Sequence, residues 1–100
     1  MTIEVRMEIL GMTKENYEAI NSQLGPKVNV ADGFIAHLAG PIDGGYRVVE
    51  LWQTQEAYGR FVEEVLLPVA QKAGLPAIHP QVLTVDNLVI SSERSWAGRS

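Results

Sequence analysis

Four segments of the chain carry strand patterns. Residues 3–10 alternate apolar and mostly charged side chains, as a strand does when one face of its sheet is buried. Residues 34–40 and 46–53 flank Asp43-Gly44-Gly45, a strong turn signal, and are predicted to form a hairpin. A last strand is predicted at about residues 81–90, after a connection marked by Pro76 and Pro80.

Two segments between the strands repeat apolar side chains at helical spacing. The first helix is predicted to begin after Thr13 as its N-cap and to end at Gly25-Pro26. The second is predicted to begin after Thr54. Because Pro68 lies inside this second repeat, we expect a kink or a break near Leu67.

The order β-α-β-β-α-β predicts a ferredoxin-like α+β fold, a four-stranded antiparallel sheet with two helices on one face. Residues 1–90 are expected to form this single domain, and residues 91–100, which include Trp96, a polar C-terminal tail that frays. Both faces of the central hairpin are largely apolar, yet two helices cover only one of them. The uncovered face predicts a partner, most simply a second copy of the chain in a homodimer.

The hairpin is predicted to bring three chemically active side chains to one face of the sheet. With a two-residue turn at Asp43-Gly44, His37 lies opposite Glu50 and Ile35 lies opposite Trp52; a four-residue loop gives the same register, whereas an odd loop would break it. Residues that pair directly across two strands have Cβ atoms roughly 5 Å apart. His37 and Glu50 are therefore a candidate acid/base pair in which the carboxylate orients the imidazole. The alternative is a buried polar pair that satisfies itself and fixes the register.

An apolar pocket is predicted beside this pair, between the sheet and the helices. Its candidate lining residues are Tyr17, Tyr58 and Phe61. Asn87, in the last predicted strand, is a candidate hydrogen-bonding residue for a ligand, and His79 is expected in a loop. Large aromatic side chains more often fill a core than line a site, so Trp52 and the tyrosines are also consistent with packing alone.

Composition narrows the classes of function. Hydrophobic residues make up 46% and charged residues 20%, which is typical of a folded domain. A net charge of −4 without a basic cluster argues against nucleic-acid binding. The absence of cysteine excludes thiol chemistry, and two distant histidines make no metal-ligand pattern. Neither a signal sequence nor a membrane span of about 20 apolar residues is seen, so we expect a cytoplasmic protein.

Parts of the sequence resemble a known superfamily. The residues that carry the resemblance are GFIAHLAGP at 33–41, YRVVELW at 46–52, and the helix start with Glu56, Ala57, Tyr58 and Phe61. They are similar to the dimeric α/β-barrel proteins of the antibiotic-biosynthesis-monooxygenase-like group, including its actinobacterial members. The resemblance implies a homodimer whose two sheets pack face to face. It also implies a pocket in each subunit for a small apolar or aromatic ligand.

The cofactor-independent monooxygenases of this group use an asparagine, a tryptophan and a tyrosine. Trp52 and Tyr58 match the tryptophan and the tyrosine, whereas Val48 stands at the asparagine position and cannot hydrogen-bond an enolate or a peroxy intermediate. His37 or Glu50 could take over that role. The resemblance thus implies a cofactor-free enzyme for oxygenation, isomerisation or cyclisation of an aromatic or polyketide-like substrate. In this interpretation Trp52 is catalytic and Val48 contacts the substrate.

Two alternatives remain open at the level of sequence: a non-catalytic small-ligand binding protein of the same fold, and a purely structural dimer with a filled core. The haem-degrading relatives, by contrast, need an iron-ligating histidine in the helix after the tryptophan. Phe61 and Val62 occupy the corresponding positions, so no haem cofactor is expected.

Overall fold

The order of helices and strands follows the sequence prediction. The computed structural model of the chain describes residues 1–75 and 78–91. Its elements are β1 (Ile3–Leu10), α1 (Lys14–Val28), β2 (Phe34–Ile42), β3 (Gly45–Trp52), α2 (Gln55–Phe61), a π-helical turn (Val62–Leu66), α3 (Leu67–Ala73) and β4 (Gln81–Thr84). The fold is the ferredoxin-like βαββαβ arrangement, in which α2, the π-helical turn and α3 together take the place of the second helix.

The four strands form one antiparallel sheet in the order β2-β3-β1-β4. Alternate side chains of β1 and β3 point to the face that the helices cover, and they form the core with residues from the helices. The buried residues of this core are Ile3, Val5, Met7, Val28, Val48, Trp52, Ala57, Tyr58 and Phe61. Arg6, Glu8 and Arg47 are exposed, as the same alternation requires.

The hairpin turn contains two residues. Ile42 pairs with Gly45, so Asp43-Gly44 is a two-residue turn, and Gly44 has the positive φ of 77° that such turns favour. The predicted pairing of His37 with Glu50 is confirmed.

The start of β2 differs from the prediction. The register shifts between Phe34 and Ala36, so Phe34 lies opposite Trp52. The prediction that Ile35 takes this place is wrong. A bulge at this point adds one residue to β2. It brings the Phe34 ring edge-on to the indole, with 5.5 Å between the ring centroids. Aromatic pairing in the core thus outweighs regular alternation at this end of the strand.

Helix α1 begins as predicted but ends later. Thr13 and Asn16 form a capping box at its start. The helix then continues through Gly25-Pro26 to Val28, and the Asn29 N–H donates to the Gly25 carbonyl, so the predicted end is wrong. Proline removes one backbone donor, but the burial of Val28 in the core holds the additional turn in place.

The second helical region changes type where the sequence predicts a break. The Thr54 side chain caps α2, as predicted. The Leu67 N–H donates to the carbonyl of Val62, which lies five residues earlier. This is the hydrogen-bond spacing of a π-helix, one residue longer than that of an α-helix. Pro68 follows directly at the start of α3, where its missing N–H costs least. The wide turn therefore accommodates the proline, and α3 ends at Gly74, whose φ is 68°.

Strand β4 is shorter than the predicted 81–90. Thr84 pairs with Ile3, the first residue of β1, and the Val85 N–H donates to the Thr2 carbonyl. Beyond this point β1 offers no further partner, so the ladder ends. Asn87 consequently lies outside the strand and is exposed, and its predicted place in the sheet is wrong.

One face of the sheet is covered by no other element of the described chain. Its apolar part lies on the hairpin of β2 and β3. Ala36 is exposed there, and Leu38, which is 53% exposed, lies beside Val49 and Leu51. Of the predicted tail only Ser91 is described, and Pro76 and Trp96 lie outside the described residues. No helix among residues 1–75 and 78–91 is long and apolar enough to cross a membrane.

Candidate functional site

Four side chains form a chain of hydrogen bonds from α1 into the interior of the sheet. We call these residues, Tyr17, His37, Glu50 and Trp52, the polar chain. The Tyr17 hydroxyl lies 2.6 Å from Nε2 of His37, and Nδ1 of His37 lies 2.8 Å from Oε2 of Glu50. The Trp52 indole N–H donates to Oε1 of Glu50 at 3.0 Å. Three of the four were predicted to share this face, and the structure adds Tyr17 as the fourth member.

Strand geometry explains why these groups meet. Glu50 and Trp52 are two residues apart on β3, so they point to the same face. His37 reaches Glu50 across the hairpin because the two-residue turn sets that register. Tyr17 comes from the first half of α1, which packs over the same face of the sheet. The polar chain thus joins three separate elements.

The partners of His37 determine where its protons lie. An ionised carboxylate only accepts hydrogen bonds, so Nδ1 of His37 must carry a proton and donate it to Glu50. In the neutral imidazole, Nε2 then accepts from the Tyr17 hydroxyl. In the imidazolium, Nε2–H donates to the Tyr17 oxygen, and the Tyr17 O–H is released to donate elsewhere. The imidazolium state therefore holds one proton more than the neutral state, and the contact between Nε2 and the Tyr17 oxygen is kept in both.

Burial and charge act on the two tyrosines near Glu50. Burial raises the pKa of Tyr17, and the nearby charge of Glu50 and the neighbouring Tyr46 raise it further. Burial, followed by the charge of Glu50, raises the pKa of Tyr58 to about 12. Both hydroxyls are therefore protonated at neutral pH, so each can act as a hydrogen-bond donor.

Aromatic side chains hold the polar chain in position. Trp52 is completely buried, and its ring centroid lies 5.7 Å from that of Tyr58 and 5.3 Å from that of Phe61. Tyr46 stacks on Tyr17 with 5.3 Å between the ring centroids. Tyr46 was not among the predicted site residues, although the alternation along β3 places it on the same face.

The polar chain opens into a small apolar cavity of about 70 Å³. Of the candidate site residues, five line this cavity: Tyr17, His37, Val48, Glu50 and Phe61. The rest of the cavity wall is apolar and was not predicted from the sequence. It is formed by residues of β1 and α1, of the turn between them, of the π-helical turn and of the segment after α3: Met7, Ile9, Met12, Ile20, Leu24, Val28, Leu66, Leu75 and Ile78. The helical spacing of residues 17, 20, 24 and 28 on α1 is the signal that indicates this wall.

The other candidates lie elsewhere. Tyr58 lines a second cavity, of about 240 Å³, which shares Met7, Leu66, Leu75 and Ile78 with the first. Trp52 lies behind Glu50 and lines neither cavity. Asn87 and His79 are exposed and also line neither. The structure thus brings together the predicted acid/base pair, Tyr17, Val48 and Phe61.

A wide groove meets the first cavity between α1 and β2. Its volume is about 600 Å³, and it shares Asn21, Val28 and His37 with the cavity. The His37 side chain, which is 23% exposed, therefore stands at the boundary between the cavity and the solvent.

Comparison with known proteins shows the fold. No protein-family model and no curated protein sequence matches the chain. Among solved structures, SnoaB, a cofactor-independent oxygenase from Streptomyces nogalater, superposes with a TM-score of 0.67; it is 16% identical, and the match covers 90% of this chain and 97% of SnoaB. The chain has the fold of the antibiotic-biosynthesis-monooxygenase-like α/β barrels.

Two further structures have the same fold. A candidate antibiotic biosynthesis monooxygenase from Deinococcus radiodurans is 10% identical, with a TM-score of 0.64 over 91% of this chain and 98% of that one. MhuD, with two manganese protoporphyrin IX molecules bound per active site, is 14% identical, with a TM-score of 0.67 over 91% of this chain and all of MhuD. The group therefore includes proteins with and without a porphyrin.

The residues at this site do not fit a haem. Both ring nitrogens of His37 are engaged, one by Tyr17 and the other by Glu50, so neither is available to an iron. The exposed His79 does not line the cavity. In the described part of the chain, no cluster of three or more histidine or acidic side chains could hold a metal ion.

Proposed function

We propose that this protein is a cofactor-independent enzyme that removes a proton from a small aromatic or polyketide-like molecule. The observation that carries the proposal is the polar chain, which ends in a cavity whose remaining wall is almost entirely apolar. An apolar cavity with a few convergent polar groups is typical of a small-molecule site. The likeness in fold to SnoaB favours an oxygenase within this class.

The proposed step moves one proton along the polar chain. The ligand loses a proton from a phenolic O–H or an activated C–H to the Tyr17 oxygen, while the Tyr17 proton passes to Nε2 of His37. The products are a ligand anion and an imidazolium. The carboxylate of Glu50 stabilises that imidazolium through its hydrogen bond to Nδ1, as a general acid/base pair requires.

Three overall reactions can follow from this anion. Return of the proton at another atom isomerises the ligand, and attack of the carbanion on a carbonyl of the same molecule cyclises it. In an oxygenation, a methylene carbon loses two hydrogens and gains one oxygen atom of O₂, and the second oxygen leaves as water. The ligand itself supplies the electrons, so no cofactor is needed.

The remaining site residues have supporting roles in this proposal. Val48 and Phe61 provide apolar contacts for the ligand. Trp52 acts through Glu50, because its indole N–H holds the carboxylate and does not reach the cavity. Trp52 is therefore a positioning residue. Tyr58 lies beyond the indole and closes the second cavity.

The test uses anthrone, an aromatic ketone with an acidic methylene group, and follows oxygen consumption and the absorbance of the product. We expect His37→Ala to lower the rate by about 10²-fold or more, which is the contribution of a general acid/base. The exposed His79 provides the matched control His79→Ala, which should keep the wild-type rate. Full activity of the His37→Ala protein would contradict the proposal.

A non-catalytic binding protein is the second candidate function. It is favoured by the self-contained polar chain, in which every described buried polar side-chain atom already has a partner. Mass spectrometry of the recovered ligand separates the two candidates. A binding protein returns anthrone unchanged above the no-protein background, whereas the proposed enzyme returns more product than protein.

We also propose that two copies of the chain associate through the uncovered sheet face. The apolar side chains on this face are Ala36, Leu38, Val49 and Leu51. Charged residues of β1 border them on one side, including the ion pair of Arg6 with Glu4. An apolar area bordered by polar residues is a common composition of a protein interface.

A further inference from the structure

The volume of the cavity limits which ligands it can hold alone. At about 70 Å³ it is much smaller than the roughly 300–1,000 Å³ of ordinary small-molecule pockets. An aromatic molecule of two or more rings must therefore extend beyond it. The proposed function requires the reacting end of such a ligand to lie next to Tyr17 and His37.

The groove between α1 and β2 also borders His37, which the second cavity does not, so a ligand whose reacting end lies beside His37 can extend into it. It meets the cavity at Asn21, Val28 and His37. Gly25 forms part of its wall, and a Cβ atom built on Gly25 would have Oδ1 of Asn21 as its nearest neighbour, at 3.8 Å. The lack of a side chain at Gly25 therefore keeps the groove open directly beside Asn21.

Asn21 is the one polar side chain of the cavity wall that lies outside the polar chain. It lies one helical turn after Tyr17, so both side chains point from α1 to the same side. The hydrogen bonds of the described residues include none from the Asn21 side chain. A carboxamide has two donor hydrogens and an acceptor oxygen, so Asn21 can bind either a carbonyl or a hydroxyl group.

We propose that the ligand lies across the boundary between the cavity and the groove, and that Asn21 selects molecules with a second oxygen substituent. This inference rests on the proposed function, since it assumes that the first oxygen or acidic carbon faces Tyr17. The ligand class is then an aromatic molecule that carries oxygen at two separated positions. One oxygen lies in the cavity, and the other lies beside Asn21, at the end of the ligand that faces the solvent.

The experiment compares two probes that differ by one hydroxyl group, 2-naphthol and naphthalene-2,6-diol, by isothermal titration calorimetry. We expect the wild-type protein to bind the diol more tightly. Asn21→Leu should weaken binding of the diol by about five- to tenfold, the effect of one hydrogen bond, and should change 2-naphthol binding by less than about twofold. Gln23→Leu, a matched change at an exposed position of α1 outside the cavity and groove, should alter neither.

A second variant tests the groove itself. Gly25→Leu fills the space beside Asn21 and should weaken both naphthols, whereas Gly25→Ala should leave the groove passable. If both probes bind the wild type and Asn21→Leu weakens them equally or not at all, the role of Asn21 is overturned and the proposed function stands. If neither probe binds the wild-type protein, both proposals are overturned. Thermal melts of each variant verify that it is folded.

Discussion

The hydroxyl of Tyr17 lies 2.6 Å from Nε2 of His37, the imidazole nitrogen that faces away from Glu50. This contact leaves His37 without a free nitrogen, so in the proposed reaction a proton exchanged with a ligand passes through the phenol. Burial raises the pKa of that phenol, and the charge of Glu50 raises it further. The hairpin pairing alone, without α1, would have left Nε2 without this partner.

Replacing Glu50 by glutamine should reverse the tautomer of His37. The carboxamide can accept from the Trp52 N–H and donate to Nδ1 of His37, which then places the imidazole proton on Nε2 and frees the Tyr17 O–H. Nitrogen-15 NMR of the neutral imidazole should show Nδ1–H in the wild type and Nε2–H in Glu50→Gln.

The same substitution should lower the free energy of unfolding by about 1–2 kcal/mol, because two hydrogen bonds lose their charged acceptor. Urea denaturation measures this loss, and Glu63→Gln at an exposed position is the control. An unchanged tautomer in Glu50→Gln would show that Glu50 does not orient the imidazole.

Tyr58 should make the fold sensitive to alkali. Burial raises its pKa in the folded protein to about 12, above the value of about 10 in the unfolded chain. The neutral phenol therefore contributes stability that is fully present below pH 10 and is lost as the pH rises toward 12. Tyr58→Phe cannot ionise, so its stability should fall less across this window. Thermal melts at pH 9, 10 and 11 test this, and parallel losses in both proteins would contradict the assignment.

Gly33 should tolerate alanine much less well than Gly44 does. Both glycines have positive φ, 83° and 77°, so alanine strains each backbone at a cost of about 1–2 kcal/mol. At Gly33 the new Cβ would also lie 2.6 Å from Cβ of Ala57, whereas nothing lies within 4 Å at Gly44. We expect Gly33→Ala to cost about 1–3 kcal/mol more than Gly44→Ala, owing to overpacking at the start of α2. Equal denaturation midpoints would refute the close approach.

A charge at Leu38 should separate the proposed dimer. Leu38 is exposed on the edge strand β2, in the apolar part of the uncovered sheet face, and a carboxylate buried there by the proposed dimer would lack a partner. Sedimentation velocity should show a dimer for the wild type and a monomer for Leu38→Glu. Val30 is 81% exposed in the connection before β2, so Val30→Glu should remain dimeric. A monomeric wild-type protein would overturn the proposed association.

The sequence predicts the His37–Glu50 contact because a two-residue turn fixes which residues pair across a hairpin. Only local information is needed for that inference. The caps at Thr13 and Thr54 are equally local, and the structure confirms both. Near Leu67 the helical region changes to a π-helical turn and does not break.

The features that were missed depend on contacts between distant elements. The extension of α1 to Val28 depends on a core that only the folded sheet supplies. The early end of β4 depends on where β1 begins, because a ladder ends with its shorter strand. The contact of Tyr17 with His37 depends on how α1 lies over the sheet, which the helical repeat does not specify.

The bulge at the start of β2 isolates the His37–Glu50 pair from changes in chain length. The turn at Asp43-Gly44 sets the register of the pair, because no irregularity lies between that turn and His37. The connection after α1 enters β2 at its other end, before the bulge. An insertion or deletion between α1 and β2 can therefore be absorbed at Ile35, without changing which residue faces Glu50. Homologues with different loop lengths at this point can retain the same His37–Glu50 contact, and loops of new length can be grafted there without moving the pair.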